Sequence, residues 1–354
     1  MPAKRIGIKD IAEATHVSPG TVHRALNGKA GVGEDTRKLI LDTAKAMGYQ
    51  PNINASLLKR KPLRIAGAFP AYTENNRYYY PYVWQGFREC MADMVDYNIE
   101  TVEIPYYTGQ GVGSQRNELL NLWEQQRGEL DGLITIGHMA QKDYSILKKF
   151  TDEGIPVVLA CDDVPSSPRL CCVQADHIMT GRMVAELLSA QIPGDSQVLI
   201  CAGDVDVQSH YQTVQGFESF VKEEGLNWEL VKVYGNDNDT EKVYQRIMGL
   251  LEEMPQIRAA YSVNARNSQV LCQAVKELGR NGRMRVVTSD IFPENILNLK
   301  DGICTNIAYK NPRQQAYLAA KILLEYLMKR QKPLEEVVYV NSEIVFRSNV
   351  HVYE

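Results

Sequence analysis

Residues 8–27 restrict this chain more than any other stretch. Ile8-Lys9-Asp10-Ile11-Ala12-Glu13 and Val17-Ser18-Pro19-Gly20-Thr21-Val22-His23-Arg24-Ala25-Leu26-Asn27 read as a helix, a tight turn and a second helix. Ile8, Ile11 and Ala12 share one face of the first helix at helical spacing, and Val17, Val22 and Leu26 form the apolar side of the second. Ser18 is placed to accept from the free N–H groups of the new helix, and Pro19 suits its first position, where no N–H is needed. Pro19, Gly20, Thr21, His23, Arg24 and Asn27 are left for solvent or a partner. A short helix anchored by its apolar face, with a polar and cationic outer face, is what a DNA major groove admits.

The charge distribution agrees. Residues 1–61 carry eleven Lys or Arg against five Asp or Glu, a formal +6, which leaves −10 for the remainder of a chain whose total is −4. A basic head on an acidic body is an electrostatic footprint for phosphate confined to one end. At 354 residues the chain exceeds one ordinary core, so two or three domains are expected. The helix pattern begins without a leading apolar run, and no window approaches the ~18 apolar residues of a membrane span. Cys90, Cys161, Cys171, Cys172, Cys201, Cys272 and Cys304 contain no C-x-x-C pair and mostly sit in apolar runs, as buried thiols of a reducing cytosol do.

A third helix is expected from about Glu34 to Met47, with Glu34 and Asp35 at its positive end and Gly48 closing it. Leu39, Ile40, Thr43, Ala44 and Met47 make its inner face. Pro51 and Pro62 then bracket a segment too short to be a stable helix alone in water, with helical composition and a basic end at Lys59. Such a segment could fold when laid against DNA.

These pieces together resemble the headpiece of the LacI/GalR family of bacterial transcription regulators. The matching residues are Asp10-Ile11-Ala12, the V-S-x-x-T-V-x-R-x-L-N run from Val17 to Asn27, V-x-x-x-T-R from Val32 to Arg37, and G-Y-x-P-N-x-x-A-x-x-L from Gly48 to Leu58. The resemblance implies that Pro19, Gly20 and Arg24 occupy base-reading positions and that Ser18, Thr21 and Asn27 touch phosphates. It places Asn52, Ala55 and Leu58 in a hinge helix, with Leu58 the apolar wedge that kinks the operator centre. Gly7 and Gly33 stand where the family has Ser or Thr caps, and His23 stands where it has Ser. His23 reads either as a base contact beside Arg24 or as a phosphate-facing or solvent-exposed residue.

Beyond Pro62, apolar runs of strand length alternate with amphipathic helices. Arg64–Phe69, Glu100–Ile104, Gly132–Ile136 and Pro156–Ala160 are strands interleaved with helices at Tyr82–Asp96, Ser114–Arg127 and Tyr144–Glu153. The pattern resumes from the helix Gly181–Gln191 through Arg285–Thr288. Such repetition builds parallel sheets covered on both faces, here two doubly wound lobes. Ligands of such sheets lie beyond the carboxyl ends of the strands. Those ends hold polar or aromatic groups at Phe69 to Tyr80, His138, Asp162-Asp163, Asp176, Asp204 to His210, Asn264 and Asp290.

The spacing is similar to the periplasmic-binding-protein-like effector domain of the same family. The expected fold is therefore an all-α three-helix helix-turn-helix headpiece plus hinge helix, joined to an α/β two-lobed periplasmic-binding-protein type I domain. Its expected domains are residues 1–50, a hinge at 51–62, a first lobe of 63–175 with 310–336, and a second of 176–309 with 337–354. The resemblance implies an effector site of Tyr79, Tyr80, His138, Asp163, Arg169, Asp176, Thr213, Asn264, Asp290 and Lys310. Carboxylates and amides bind hydroxyl pairs while rings cover a sugar's apolar faces. Four positions depart from the pattern: Cys161 for an Asp, Thr213 for an Arg, Ala265 after Asn264 for an Asp, and Lys310 for a Gln. Lys310 either faces an anionic group of the effector, or points to solvent or pairs with Asp163 or Asp290.

The expected function is a sequence-specific regulator, a repressor, acting in the bacterial cytoplasm on a near-palindromic operator. Its expected partners are operator DNA, a small sugar, cyclitol or sugar derivative, and a second copy of the chain; no cofactor, metal, membrane or catalytic residue is implied. A sugar-converting enzyme on the same fold is the competing class, but there is no P-loop, G-x-G-x-x-G, nucleophile elbow or metal-spaced His/Cys cluster. A weakly specific DNA binder with a vestigial sensor is the third reading.

Overall fold

The computed structural model describes residues 6–26, 28–49, 61–73, 76–94, 97–108, 113–138, 143–235 and 240–354. Asn27, Asn52, Ala55, Leu58 and Lys59, all expected at DNA, lie outside the described residues. The chain forms two compact units, one running to Pro62 and the other taking up at Leu63.

The first unit holds α1 (Ile8–Thr15), α2 (Pro19–Leu26) and α3 (Glu34–Ala46). Gly7 caps α1, and the Asp10 carboxylate accepts the Gly7 N–H at 2.7 Å. His16 ends the helix in the left-handed conformation, and the Ser18 hydroxyl accepts the Thr21 N–H at 3.1 Å to open α2. The core is Ile11, Ala12, Val22, Ala25, Ile40 and Ala44. Leu39, expected on the inner face of α3, is 52% exposed. It lies roughly 100° around the helix from Ile40, beyond the stripe that Ile40, Thr43, Ala44 and Met47 define.

The second unit runs β1 (Leu63–Pro70), α4 (Tyr80–Asp93), β2 (Ile99–Tyr106), α5 (Gln115–Gln126), β3 (Gly132–Ile136), α6 (Ser145–Asp152), β4 (Val157–Ala160) and β5 (Cys171–Ala175). The chain then crosses into α7 (His177–Ser189), β6 (Gln197–Gly203), α8 (Gln208–Glu223), β7 (Glu229–Tyr234), α9 (Thr240–Glu253), β8 (Ile257–Ser262), α10 (Ala265–Glu277), β9 (Arg285–Ser289), α11 (Pro293–Lys300) and β10 (Asn306–Tyr309). It closes with α12 (Pro312–Lys329), β11 (Val337–Val340) and β12 (Glu343–Val345). Two six-stranded sheets result, ordered β11-β5-β4-β3-β1-β2 and β12-β10-β9-β8-β6-β7. All neighbours are parallel except β10 and β12. Strands such as Val157–Ala160 are buried on both faces, which is why they read as unbroken apolar runs.

The boundary expected at 337 is corrected. β11 pairs with β5, Val338 opposite Val173, so residues 337–340 complete the edge of the first sheet. Only after Val340 does the chain return to the second sheet, where Val345 lies opposite Ile307.

Candidate functional site

On the first unit, α2 turns Val22 and Ala25 into the core and leaves Ser18, Pro19, Gly20, His23 and Arg24 exposed. Thr21 is half-buried and its hydroxyl lies 2.9 Å from that of Ser18. The Arg24 guanidinium rests 3.5 Å from the Thr21 hydroxyl. Arg37 of α3 donates to the Ala25 carbonyl in the last turn of α2 at 3.2 Å and to the Lys29 carbonyl beyond it at 2.6 Å, fixing the end of that helix on its support.

On the second unit, the carboxyl ends of both sheets face one cavity of about 670 Å³, counting its open mouth. Tyr79 and Tyr80 reach it after β1, His138 after β3, Cys161 and Asp162 after β4, and His177 at the start of α7. From the other lobe come Ser209 and His210, Asn264 and Arg266, Asp290 and Lys310. Gly203 makes part of this possible. Its φ is +67°, and a Cβ there would lie 2.7 Å from both Asn264 and His210.

The Lys310 ammonium is 3.2 Å from Asp290 and donates to the Val263 carbonyl at 2.9 Å. Burial pushes the Asp290 carboxyl up from its ordinary value, against the opposing pull of Lys310. His177 donates from Nε2 to the Cys161 carbonyl at 3.2 Å, because a carbonyl can only accept. Its Nδ1 is therefore a lone-pair acceptor, and burial lowers its pKa to about 4, partly offset by Asp162. Burial raises the Asp162 carboxyl, but His177, His138, the Ser209 hydroxyl and His210 together hold it below its ordinary value. The amide of Asn264 is oriented by accepting the Asn267 N–H at 2.8 Å. Asp162 Oδ1, His177 Nδ1 and Asn264 Nδ2 remain buried with no hydrogen-bond partner.

Six of the ten expected effector residues line this cavity: Tyr79, Tyr80, His138, Asn264, Asp290 and Lys310. The other four are held elsewhere. Asp163 and Arg169 form an ion pair at 2.6 Å, 4% and 5% exposed, tying down the loop after β4. Asp176 caps α7 by accepting the Met179 N–H at 2.9 Å. The Thr213 hydroxyl donates to the Ser209 carbonyl within α8, where the Thr213 carbonyl would lie 1.9 Å from a Cβ on Gly181. Sequence reasoning passed over His177 and Arg266, and of the strand-end pair Asp162-Asp163 it assigned the effector contact to Asp163. Asp162 was legible as a carboxylate at a strand end; the convergence of three histidines was not.

Among the described residues no group of His, Cys, Asp or Glu is placed to hold a metal ion, and no helix is long and apolar enough to cross a membrane.

Residues 7–52 match the family described as bacterial regulatory proteins, lacI family, and residues 67–331 match the periplasmic binding protein domain. The HTH-type transcriptional regulator MalR of Streptococcus pneumoniae is 24% identical over 278 residues, covering 76% of this chain and 79% of its own. Catabolite control protein A of Priestia megaterium is 27% identical over 250 residues, 70% of each chain. The body superimposes on the crystal structure of GanP, a glucose-galactose binding protein from Geobacillus stearothermophilus. That match has a TM-score of 0.69 at 19% identity and covers 82% of this chain and 99% of the other.

Proposed function

This chain belongs to the lacI family of bacterial regulatory proteins, with a periplasmic binding protein domain as its body, and from that premise we propose that it represses transcription as a homodimer released or retained by a small, neutral, sugar-like effector. Two heads sit in successive major grooves of a near-palindromic operator in the bacterial cytoplasm, Arg24 reaching base edges and Ser18 and Thr21 the phosphates. Asn27 joins the phosphate contacts, and Asn52, Ala55, Leu58 and Lys59 serve the minor groove, where Leu58 opens the central step. The effector acts because it binds the DNA-competent and DNA-incompetent states with different affinity.

The observation that carries this reading is the set of partnerless polar atoms in the cavity. Asp162 Oδ1 and His177 Nδ1 accept, and Asn264 Nδ2 donates. A polyol or sugar supplies hydroxyls that do both, while Tyr79 and Tyr80 cover an apolar ring face. A carboxylate or phosphate on the effector would meet Asp162, and the Lys310 charge is already engaged by Asp290. Arg266 also lines the cavity, where it donates to Asn76, so its charge balances that of Asp162 and the lining calls for no net charge on the effector. We read the body as a sensor without turnover. Its relatives are named as a transcriptional regulator and a catabolite control protein, and burial pushes the Cys161 thiol far above its ordinary value, which suits no nucleophile.

The test is to select binding sites from random DNA and measure affinity by fluorescence anisotropy, with and without neutral sugars and cyclitols. A palindrome preferred by ~10³ or more over random DNA, with affinity shifted by one of these compounds, is expected. Indifference to DNA sequence, or to every compound, would overturn it.

A further inference from the structure

A second, smaller cavity of about 330 Å³, counting its open mouth, adjoins the first, and Tyr80 and His138 line both. Its other walls include Tyr106, Tyr107 and Thr108, from the end of β2, and Gln115, the first residue of α5.

Gln115 is only 5% exposed, and its hydrogen bonding is half complete. Nε2 donates to the Thr135 hydroxyl at 2.9 Å and to the Ile136 carbonyl at 2.7 Å. The Thr135 hydroxyl in turn donates to the Ala68 carbonyl at 2.8 Å, so it can only accept from Gln115. Both amide hydrogens are thus spoken for and the orientation of the amide is settled. Oε1 remains buried with no partner, a state that structures avoid unless something fills it. Tyr107 is held in place by its neighbour Gly113. The Tyr107 N–H donates to the Gly113 carbonyl at 2.7 Å. Gly113 has φ +78°, and a Cβ on it would come within 2.9 Å of the Tyr107 ring.

An aromatic-walled annex with one buried acceptor suits the apolar face and one hydroxyl of a pyranose ring. An alkyl or aryl group would cover the tyrosines but leave Gln115 Oε1 without a donor. We propose that this annex is a second saccharide subsite, so that the effector is a neutral disaccharide with one ring in the main cavity and the other against Tyr107. The glycosidic link passes between Tyr80 and His138, and a hydroxyl of the second ring donates to Gln115 Oε1. This rests on the reading of the main cavity as a saccharide site.

The test is isothermal titration calorimetry on the full chain with glucose, galactose, maltose, cellobiose, lactose and melibiose. At least one disaccharide should bind tenfold or more tighter than either of its component sugars. Tyr107→Ala should abolish that advantage while leaving monosaccharide affinity unchanged; Tyr107 is 61% exposed, so the fold tolerates its truncation. Gln115→Leu should do the same. If monosaccharides bind as tightly as every disaccharide, or Tyr107→Ala weakens both classes equally, the annex proposal falls and the main site stands. If none of the six sugars binds, the annex proposal falls, and the main site is judged on the wider set of neutral sugars and cyclitols named above.

Discussion

Cys161 and Asp290 hold equivalent corners of the two lobes. Each follows the fourth strand of its lobe in chain order, each adopts a left-handed backbone (φ 69° and 67°), and each amide donates to a carbonyl of the next strand outward. The acceptors are Val173 at 2.8 Å and Ala308 at 3.0 Å. A left-handed residue other than glycine costs roughly 1–2 kcal/mol, and both corners lie at the cavity. The repeat thus delivers a carboxylate from each side with one offset. Asp290 occupies its corner itself, whereas Cys161 takes the matching corner and Asp162, one residue on, reaches the cavity.

The Asp290–Lys310 pair yields the clearest stability prediction. Asp290 is 1% exposed, so Lys310→Met would strand a buried carboxylate. Breaking a buried pair from one side costs about 3–5 kcal/mol. Denaturant unfolding should show a loss of that size, and adding Asp290→Asn should restore most of it. A loss below about 1 kcal/mol from Lys310→Met alone would show that the pair is not buried in solution.

His177 sets the pH dependence. Its folded pKa, about 4, lies below the ordinary histidine value, so the folded state binds fewer protons between the two. The stabilisation is complete above pH ~6.5 and is lost as pH falls toward 4. Asp162, also lowered, loses its contribution only at still lower pH. The melting temperature should therefore drop between pH 6.5 and 4, and His177→Gln, which can still donate to the Cys161 carbonyl, should flatten that drop. An undiminished drop in the variant would show that His177 is not the group responsible.

The head was legible because its signals are local. Ser18, Arg37 and the spacing of Ile11, Val22 and Ile40 specify caps and core within a few turns. In the body, βα alternation was enough for two doubly wound lobes, the strand-end rule led to Tyr79, His138, Asn264 and Asp290, and the family resemblance added Lys310. What escaped depends on single backbone angles and on distant pairing. Asp162 and Asp163 are neighbours whose roles differ because the chain turns left-handed at Cys161. The assignment of 337–340 to the first sheet depends on a partner strand some 165 residues earlier, Val338 against Val173. His138, His177 and His210 are scattered along the chain and meet only because three different strand ends face one cavity.

Arg37 offers a test that separates the two units. Arg37→Ala removes two hydrogen bonds from a charged donor, one to a carbonyl in the last turn of α2 and one to the Lys29 carbonyl after it. Such bonds are worth about 1.5–3 kcal/mol each when buried, and less here because one of them is exposed. Operator affinity should fall while sugar affinity of the body stays unchanged in calorimetry. A parallel loss of both would mean that the substitution unfolds more than the head.

Arg24 and Ser18 should separate base reading from backbone contact. Arg24 is exposed on α2 with its guanidinium beside Thr21, so it is free to extend into the groove. Ser18 already accepts the Thr21 N–H and sits at the positive end of α2, where phosphate is favoured. Arg24→Ala should therefore relax preference at one base step by about 1–3 kcal/mol and barely alter binding to random DNA. Ser18→Ala should weaken binding to all sequences alike, since a lost cap costs about 1 kcal/mol of helix stability and a lost phosphate contact carries no base information. The measurement is affinity for the selected operator, for single-base variants of it and for random DNA at several salt concentrations. If Arg24→Ala instead weakens all sequences equally and lowers the salt slope by about one, Arg24 contacts a phosphate and base reading passes to His23.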